Sequence, residues 1–193
     1  MLIKITKNWH PVGKAAFMVL FPILISMAAI YLMKNISGRE PFPKTDDPDA
    51  TPLNLRWRGY SEKEAIDYWT WLRNNDLLVA EQRFLLVDLF FPFFYAGTML
   101  TSAVLAWNWL NHSFDLKWVV IFIAIVVLAD WTENLVHLHQ LGQFVRNEPM
   151  QAVWVQVASG ATTIKSGFLV LSAIRIGGLA VRVARQAYVK KGG

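Results

Sequence analysis

Four apolar runs, each long enough to cross a bilayer, constrain this chain more than any other feature. The first, Ala15 to Met33, has 19 residues and no charge. At 1.5 Å per residue such a helix covers the roughly 30 Å of a hydrocarbon core. The second runs from about Phe84 to Trp107, the third from Trp118 to about Leu138, and the fourth from about Ala152 to Ile174. The connections Asn108 to Lys117 and His139 to Gln151 are short, which forces antiparallel neighbours. The expected fold is all-α: a polytopic membrane protein, an up-down bundle of four transmembrane helices forming a single domain over residues 1–193. A composition of 54% hydrophobic and 17% charged residues fits the bilayer as solvent. Ser26-Met27-Ala28 resembles a signal-peptide cleavage site, but the run is long for an h-region and is read as a retained helix. Pro22 inside it frees the carbonyl of Met18 and predicts a kink.

The charges set the expected topology. Lys4, Lys7 and Lys14 precede the first run, and Arg175, Arg182, Arg185, Lys190 and Lys191 follow the last, with no acidic residue among them. Loops rich in Lys and Arg stay cytoplasmic, so both termini are expected inside. The net charge of +5 is thus accounted for by topology, and no nucleic-acid partner is expected. Gly177-Gly178 should interrupt the fourth helix, leaving a basic tail, 175–193, that lies on anionic lipid. The final Lys190-Lys191-Gly192-Gly193 is similar to a dilysine retrieval signal. Basic tails also arise from topology alone, and a bacterial inner membrane is the expected location.

Between the first two runs, residues 34–83 form an outer loop in which eight basic and nine acidic side chains nearly cancel. Pro41, Pro43, Pro48 and Pro52 exclude regular structure from its first part. In the second part Ser61 and Glu64 form a capping box. Ala65, Tyr68, Trp69 and Leu72 follow at helical spacing, predicting an amphipathic helix over about 61–77. Trp57, Tyr60 and Trp71 nearby suit the membrane interface. The Asn35 and Asn111 sequons lie too near membrane ends, or on the wrong side, for glycosylation.

Charge inside a span is the informative feature, because each ionised group costs ~2.5 to 3.5 kcal/mol at a helix centre on insertion scales. Asp130, Glu133, Asn134 and His137 stand at offsets of zero, three, four and seven in the third helix, one stripe that must face the bundle interior. Asp88, Pro92 and Tyr95 share a face of the second helix, and Ser159, Thr162 and Lys165 one of the fourth. Counting rise from the outer ends puts Asp88 about 6 Å deep, Tyr95 about 17 Å and Lys165 roughly 20 Å. Three acids and one lysine at similar depth carry a net charge near minus two if all are ionised, so protons or a cation should balance the site. The candidate pocket is therefore Asp88, Tyr95, Asp130, Glu133, Asn134, His137, Thr162 and Lys165. The plainer alternatives are that a Lys165–Asp130 pair only fixes helix register, and that Asp88 and His137 snorkel to the interface.

No cofactor is expected. Cysteine is absent. Glu133 and His137 are spaced by four rather than as Glu-x-x-His, and only one histidine is placed to ligate inside the bundle.

Four short patterns, Tyr60-Ser61-x-x-Glu64-Ala65, Asp88-x-x-Phe91-Pro92-x-x-Tyr95, Ala129-Asp130-x-x-Glu133-Asn134 and Ser159-x-x-Thr162-x-x-Lys165, recur in order. In this the chain resembles a group of bacterial four-helix membrane proteins of uncharacterised activity, over about two thirds of its length. The resemblance implies no catalysis.

Three functions fit. The first is a polar pocket in the outer half of the bundle that binds a small polar or cationic ligand or passes protons or ions. The second is a membrane enzyme acting on lipid or isoprenoid substrates, with Asp130 or Glu133 as acid or base. The third is an accessory subunit whose loop contacts a second copy or a larger membrane complex. A continuous pore favours the first, a lateral cleft the second, and a dry closed pocket the third.

Overall fold

The computed structural model describes residues 6, 8–41 and 47–189, with side chains as far as Gln186. Lys4, Lys7, Pro43 and the dilysine at Lys190 and Lys191 lie outside the described residues. Six α-helices are described: α1 (Pro11–Ser37), α2 (Glu62–Asn74), α3 (Leu78–Asp88), α4 (Phe91–Trp109), α5 (Leu116–Val145) and α6 (Ala152–Val189), with no strand among the described residues. Four helical stretches are long and apolar enough to cross a membrane, with α3 and α4 forming one of them. The chain is thus all-α, with the elements of a four-helix membrane bundle. Leu24, Leu128 and Ile174 are each more than 60% exposed on the outside of the helices, an apolar surface that lipid would cover. Helix α1 packs on α4 and α6, and α5 packs on α6 and α4. One end of the bundle, the terminal end, carries the start of α1 and the end of α6, and the other, the loop end, carries the long loop.

The terminal half is closed by apolar packing. Met18, Ala103, Ala106, Val119, Ile123, Ile176, Leu179 and Val183 form one buried cluster. Within it the carbonyl that Pro22 leaves without its helical donor is satisfied, because the Ser102 hydroxyl donates to Met18 O at 3.1 Å. The second crossing is broken where Pro92 removes the donor for Asp88. Helix α3 ends at Asp88 and α4 begins at Phe91, while the Trp131 indole donates to Leu89 O at 2.9 Å across the break.

Several sequence expectations need correction. The second crossing begins at Leu78 rather than Phe84, which puts Asp88 about 15 Å along the helix instead of about 6 Å. The third runs on to Val145, so the turn to α6 starts only at Arg146. Gly177-Gly178 does not interrupt α6, which continues to Val189. Two helical glycines cost about 1 kcal/mol each, less than burying Leu179 and Val183 in the cluster returns. As far as Gln186 the tail is therefore the docked last part of α6, with Arg182 and Arg185 on its exposed side. Helix α2 ends at Asn74, and its apolar face turns to protein. Ala65, Tyr68, Trp69 and Leu72 are buried with Leu85, Val136, Val155 and Ala158 at the loop end.

Candidate functional site

The stripe on α5 faces inward, as its spacing requires. Asp130, Glu133, Asn134 and His137 are at most 2% exposed. Lys165 Nζ donates to Asp130 Oδ1 at 3.0 Å and also contacts Glu133. Tyr95, from α4, donates its hydroxyl to Asp130 Oδ2 at 2.9 Å. Asp130 thus accepts from both neighbouring helices, and Lys165 spans two carboxylates of one stripe. The lysine side chain is 14% exposed, its stem lying along apolar surface as a buried ammonium requires.

Asp88 is 4% exposed, with no ion pair among the described residues. The carboxylates of Asp130 and Glu133, the Lys165 ammonium and the Asn134 amide, which hydrogen-bonds it, surround it. Both Asp88 and His137 are buried, so neither snorkels to an interface. Thr162 is buried beside Glu133, its hydroxyl donating to Ala158 O at 3.0 Å. Of the eight residues singled out by spacing, seven are buried and Lys165 is half-buried, and all but His137 belong to or adjoin the Asp130–Glu133–Lys165 cluster. His137 lies one turn beyond, where Tyr60 Oη and His137 Nε2 share a 2.5 Å hydrogen bond.

Tyr60 is held by backbone as well as side chain. Its N–H donates to Ser159 Oγ at 2.8 Å on α6. Gly59 precedes it with φ +86°, and a Cβ there would stand 2.6 Å from that same Ser159 Oγ. Burial, with Glu133 nearby, raises the Tyr60 phenol well above its ordinary range, so it stays neutral and able to donate.

A cavity of about 620 Å³ opens beside this cluster. Its polar wall is Asp88, Tyr95, Asp130 and Lys165; most of the rest is apolar, from Pro22, Ile23, Met27, Ile30 and Met33 on α1 to Phe84, Phe91, Met99, Val126 and Leu169 opposite. Pro41, Asn54, Leu55 and Trp57 cover its loop end. Ile23, Met27 and Leu169 line the cavity yet are 49%, 62% and 36% exposed, so it opens sideways between α1 and α6. The cover is fastened by Arg56, which donates to Thr51 O and Pro48 O, and by a buried pair in which Arg39 Nε lies 2.5 Å from Glu81 Oε2. Arg39 also donates to the Tyr68 hydroxyl at 2.5 Å and stacks on Phe84.

Sequence reasoning missed this Arg39–Glu81–Tyr68 group. Its members sit in a loop, on α2 and on α3, and their charges read as part of a balanced, solvated stretch. It also stopped the α5 stripe at His137, although Gln140 continues it at the next turn and is fully buried. Among the described residues no set of three or more His, Asp or Glu side chains is arranged to hold a metal ion.

Comparison with protein families, with curated proteins and with solved structures finds no match for this chain.

Proposed function

We propose that the protein binds an amphiphile within the membrane, its apolar body in the cavity between α1 and α6 and a cationic, hydrogen-bond-donating head against Asp88. One observation carries the reading: a buried carboxylate with no ion pair stands on the wall of a mostly apolar cavity that opens sideways. A volume of about 620 Å³ falls in the usual range for small-molecule sites. Three carboxylates, Asp88 and Asp130 on the wall and Glu133 behind it, share a single lysine, so the site is short of positive charge, and an amine head would supply both the charge and the donors. The apolar cluster closing the terminal half speaks against a continuous pore. The test is equilibrium binding of dodecylamine to the protein in nanodiscs, against dodecanol and dodecanoate. Preference for the amine, lost in Asp88→Asn, supports the reading; equal weak uptake of all three defeats it.

We also infer that the terminal end faces the cytoplasm of a bacterial inner membrane. Lys14, Lys117, Arg175, Arg182 and Arg185 lie at that end with Asp115 as the acidic residue near them, whereas the charges of the loop end nearly cancel. The exposed Arg182 and Arg185 would then meet anionic lipid.

A further inference from the structure

The loop-end half of α5 holds more buried polar atoms than the surrounding protein satisfies. Both amide atoms of Gln140, Gln143 Oε1, Glu133 Oε1 and, from α2, Trp69 Nε1 have no hydrogen-bond partner among the described residues, and the Asn134 amide beside them has Asp88 as its one neighbouring group. Glu133, Asn134, Gln140 and Trp69 are 0% exposed and Gln143 is 6% exposed. A buried polar atom left unpaired is costly, and a run of them calls for partners that the described residues do not supply.

These groups lie together, while Ser172 Oγ on α6 and Trp109 Nε1 on α4, also without a partner among the described residues, stand apart from them toward the terminal end. Glu133, His137, Gln140 and Gln143 step along one side of α5 over about 15 Å. The Trp69 ring stands edge-on to His137 at 6.1 Å, and Tyr60 bonds His137 from the other side. The column starts near the loop end, where Arg73 reaches Phe144 O and the exposed Arg146–Glu148 pair marks solvent. It finishes at the Lys165–Glu133–Asp130 cluster, whose Lys165 and Asp130 stand on the cavity wall. Beyond Asp130 the inward residues of α5 are Val126, Ile123 and Val119, all buried and apolar. A buried polar atom without a protein partner takes an ordered water, and a run of such atoms takes a file of them.

We propose that a file of water molecules runs along this column and lets the cavity carboxylates exchange protons with the loop end but not with the terminal end. The titratable groups facing it are Tyr60 before α2, Asp88 on α3, Tyr95 on α4, Asp130, Glu133 and His137 on α5, and Lys165 on α6, with Arg39 and Glu81 at its flank. Protons pass between neighbouring waters and these side chains without net chemistry. The column is independent of what occupies the cavity, so the two proposals stand or fall separately.

X-ray radiolysis footprinting of the full chain in nanodiscs tests it, because hydroxyl radicals form from water and label the side chains beside it. Met18 is the internal control: it is 0% exposed, lies in the apolar cluster, and belongs to a more easily oxidised residue type. The expected result is several-fold faster oxidation of His137 and Trp69 than of Met18. In Gln140→Leu that labelling falls, while the exposed Trp57 is unchanged and so reports an intact fold. Oxidation of wild-type His137 and Trp69 no faster than that of Met18 would overturn the water file, whatever the variant does. In vesicles loaded with a pH-sensitive dye, the one-sided path predicts no sustained proton flux above protein-free vesicles, and a sustained flux would overturn its one-sidedness.

Discussion

Lys165 Nζ bonds Asp130 Oδ1 at 3.0 Å while also contacting Glu133, one turn away on the same face of α5. A single lysine therefore serves two carboxylates, and removing it strands both. Lys165→Met should destabilise the protein by about 3 to 5 kcal/mol, as breaking a buried pair does. Adding Asp130→Leu should restore only part of the loss, because Glu133 remains; Lys165→Met, Asp130→Leu and Glu133→Leu together should restore most of it. Thermal unfolding in detergent measures the series. Full recovery in the double variant would show that Glu133 does not belong to the cluster.

The Tyr60–His137 bond ties the loop to α5. Hydrogen bonds between membrane helices average ~0.6 kcal/mol in mutant cycles. A cycle of Tyr60→Phe and His137→Phe should give a coupling near that size. Purely additive losses would mean that the contact holds nothing.

Gly59 has a positive φ and a near neighbour in Ser159, so Gly59→Ala should cost about 1 to 2 kcal/mol from its backbone alone. Adding Ser159→Ala should relieve the nearest clash but neither the backbone term nor the loss of the acceptor for the Tyr60 N–H, so it should recover a fraction of the stability at most. Complete recovery would assign the whole cost to the clash.

Ser61 caps α2 through its hydroxyl and its N–H, and these bonds hold the Glu64 carboxyl below its usual range. A depressed folded value means the contribution is present above the unfolded carboxylate pKa of about 4.3 and is lost as pH falls through the folded one. Ser61→Ala should therefore loosen α2 by about 1 kcal/mol near neutrality and by less in acid. Hydrogen exchange of α2 amides at the two pH values reads the difference; an effect that grows in acid would contradict the sign.

Much of this was legible in the sequence, where local rules decide. The polar stripe from Asp130 to His137 follows from helical spacing and the cost of lipid-facing charge. The α2 capping box and the free Met18 carbonyl follow from residues a turn apart. The rest depends on contacts distant in the chain. Arg39 meets Glu81 only because α3 folds back against α1. The α2 face that resembled an interfacial helix turned out to cover the bundle, and packing of Leu179 and Val183 carried α6 through two glycines that local propensity would have made a stop.

Topology can be read on the cysteine-free background. Single cysteines at Glu62 and Asn111, both exposed, should label from opposite sides, with Asn111 on the cytoplasmic side. Labelling of both from one side would contradict the four-crossing arrangement.

The most direct test of the cavity is photo-crosslinking with a diazirine-bearing dodecylamine in membranes, mapped by mass spectrometry. Binding as proposed predicts labels concentrated on Met27, Met99 and Leu169, which line the cavity, and a loss of at least about tenfold in Asp88→Asn, corresponding to ~1.4 kcal/mol. Labels spread evenly over the lipid-facing surface at Leu24, Leu128 and Ile174, and unchanged in Asp88→Asn, would contradict it.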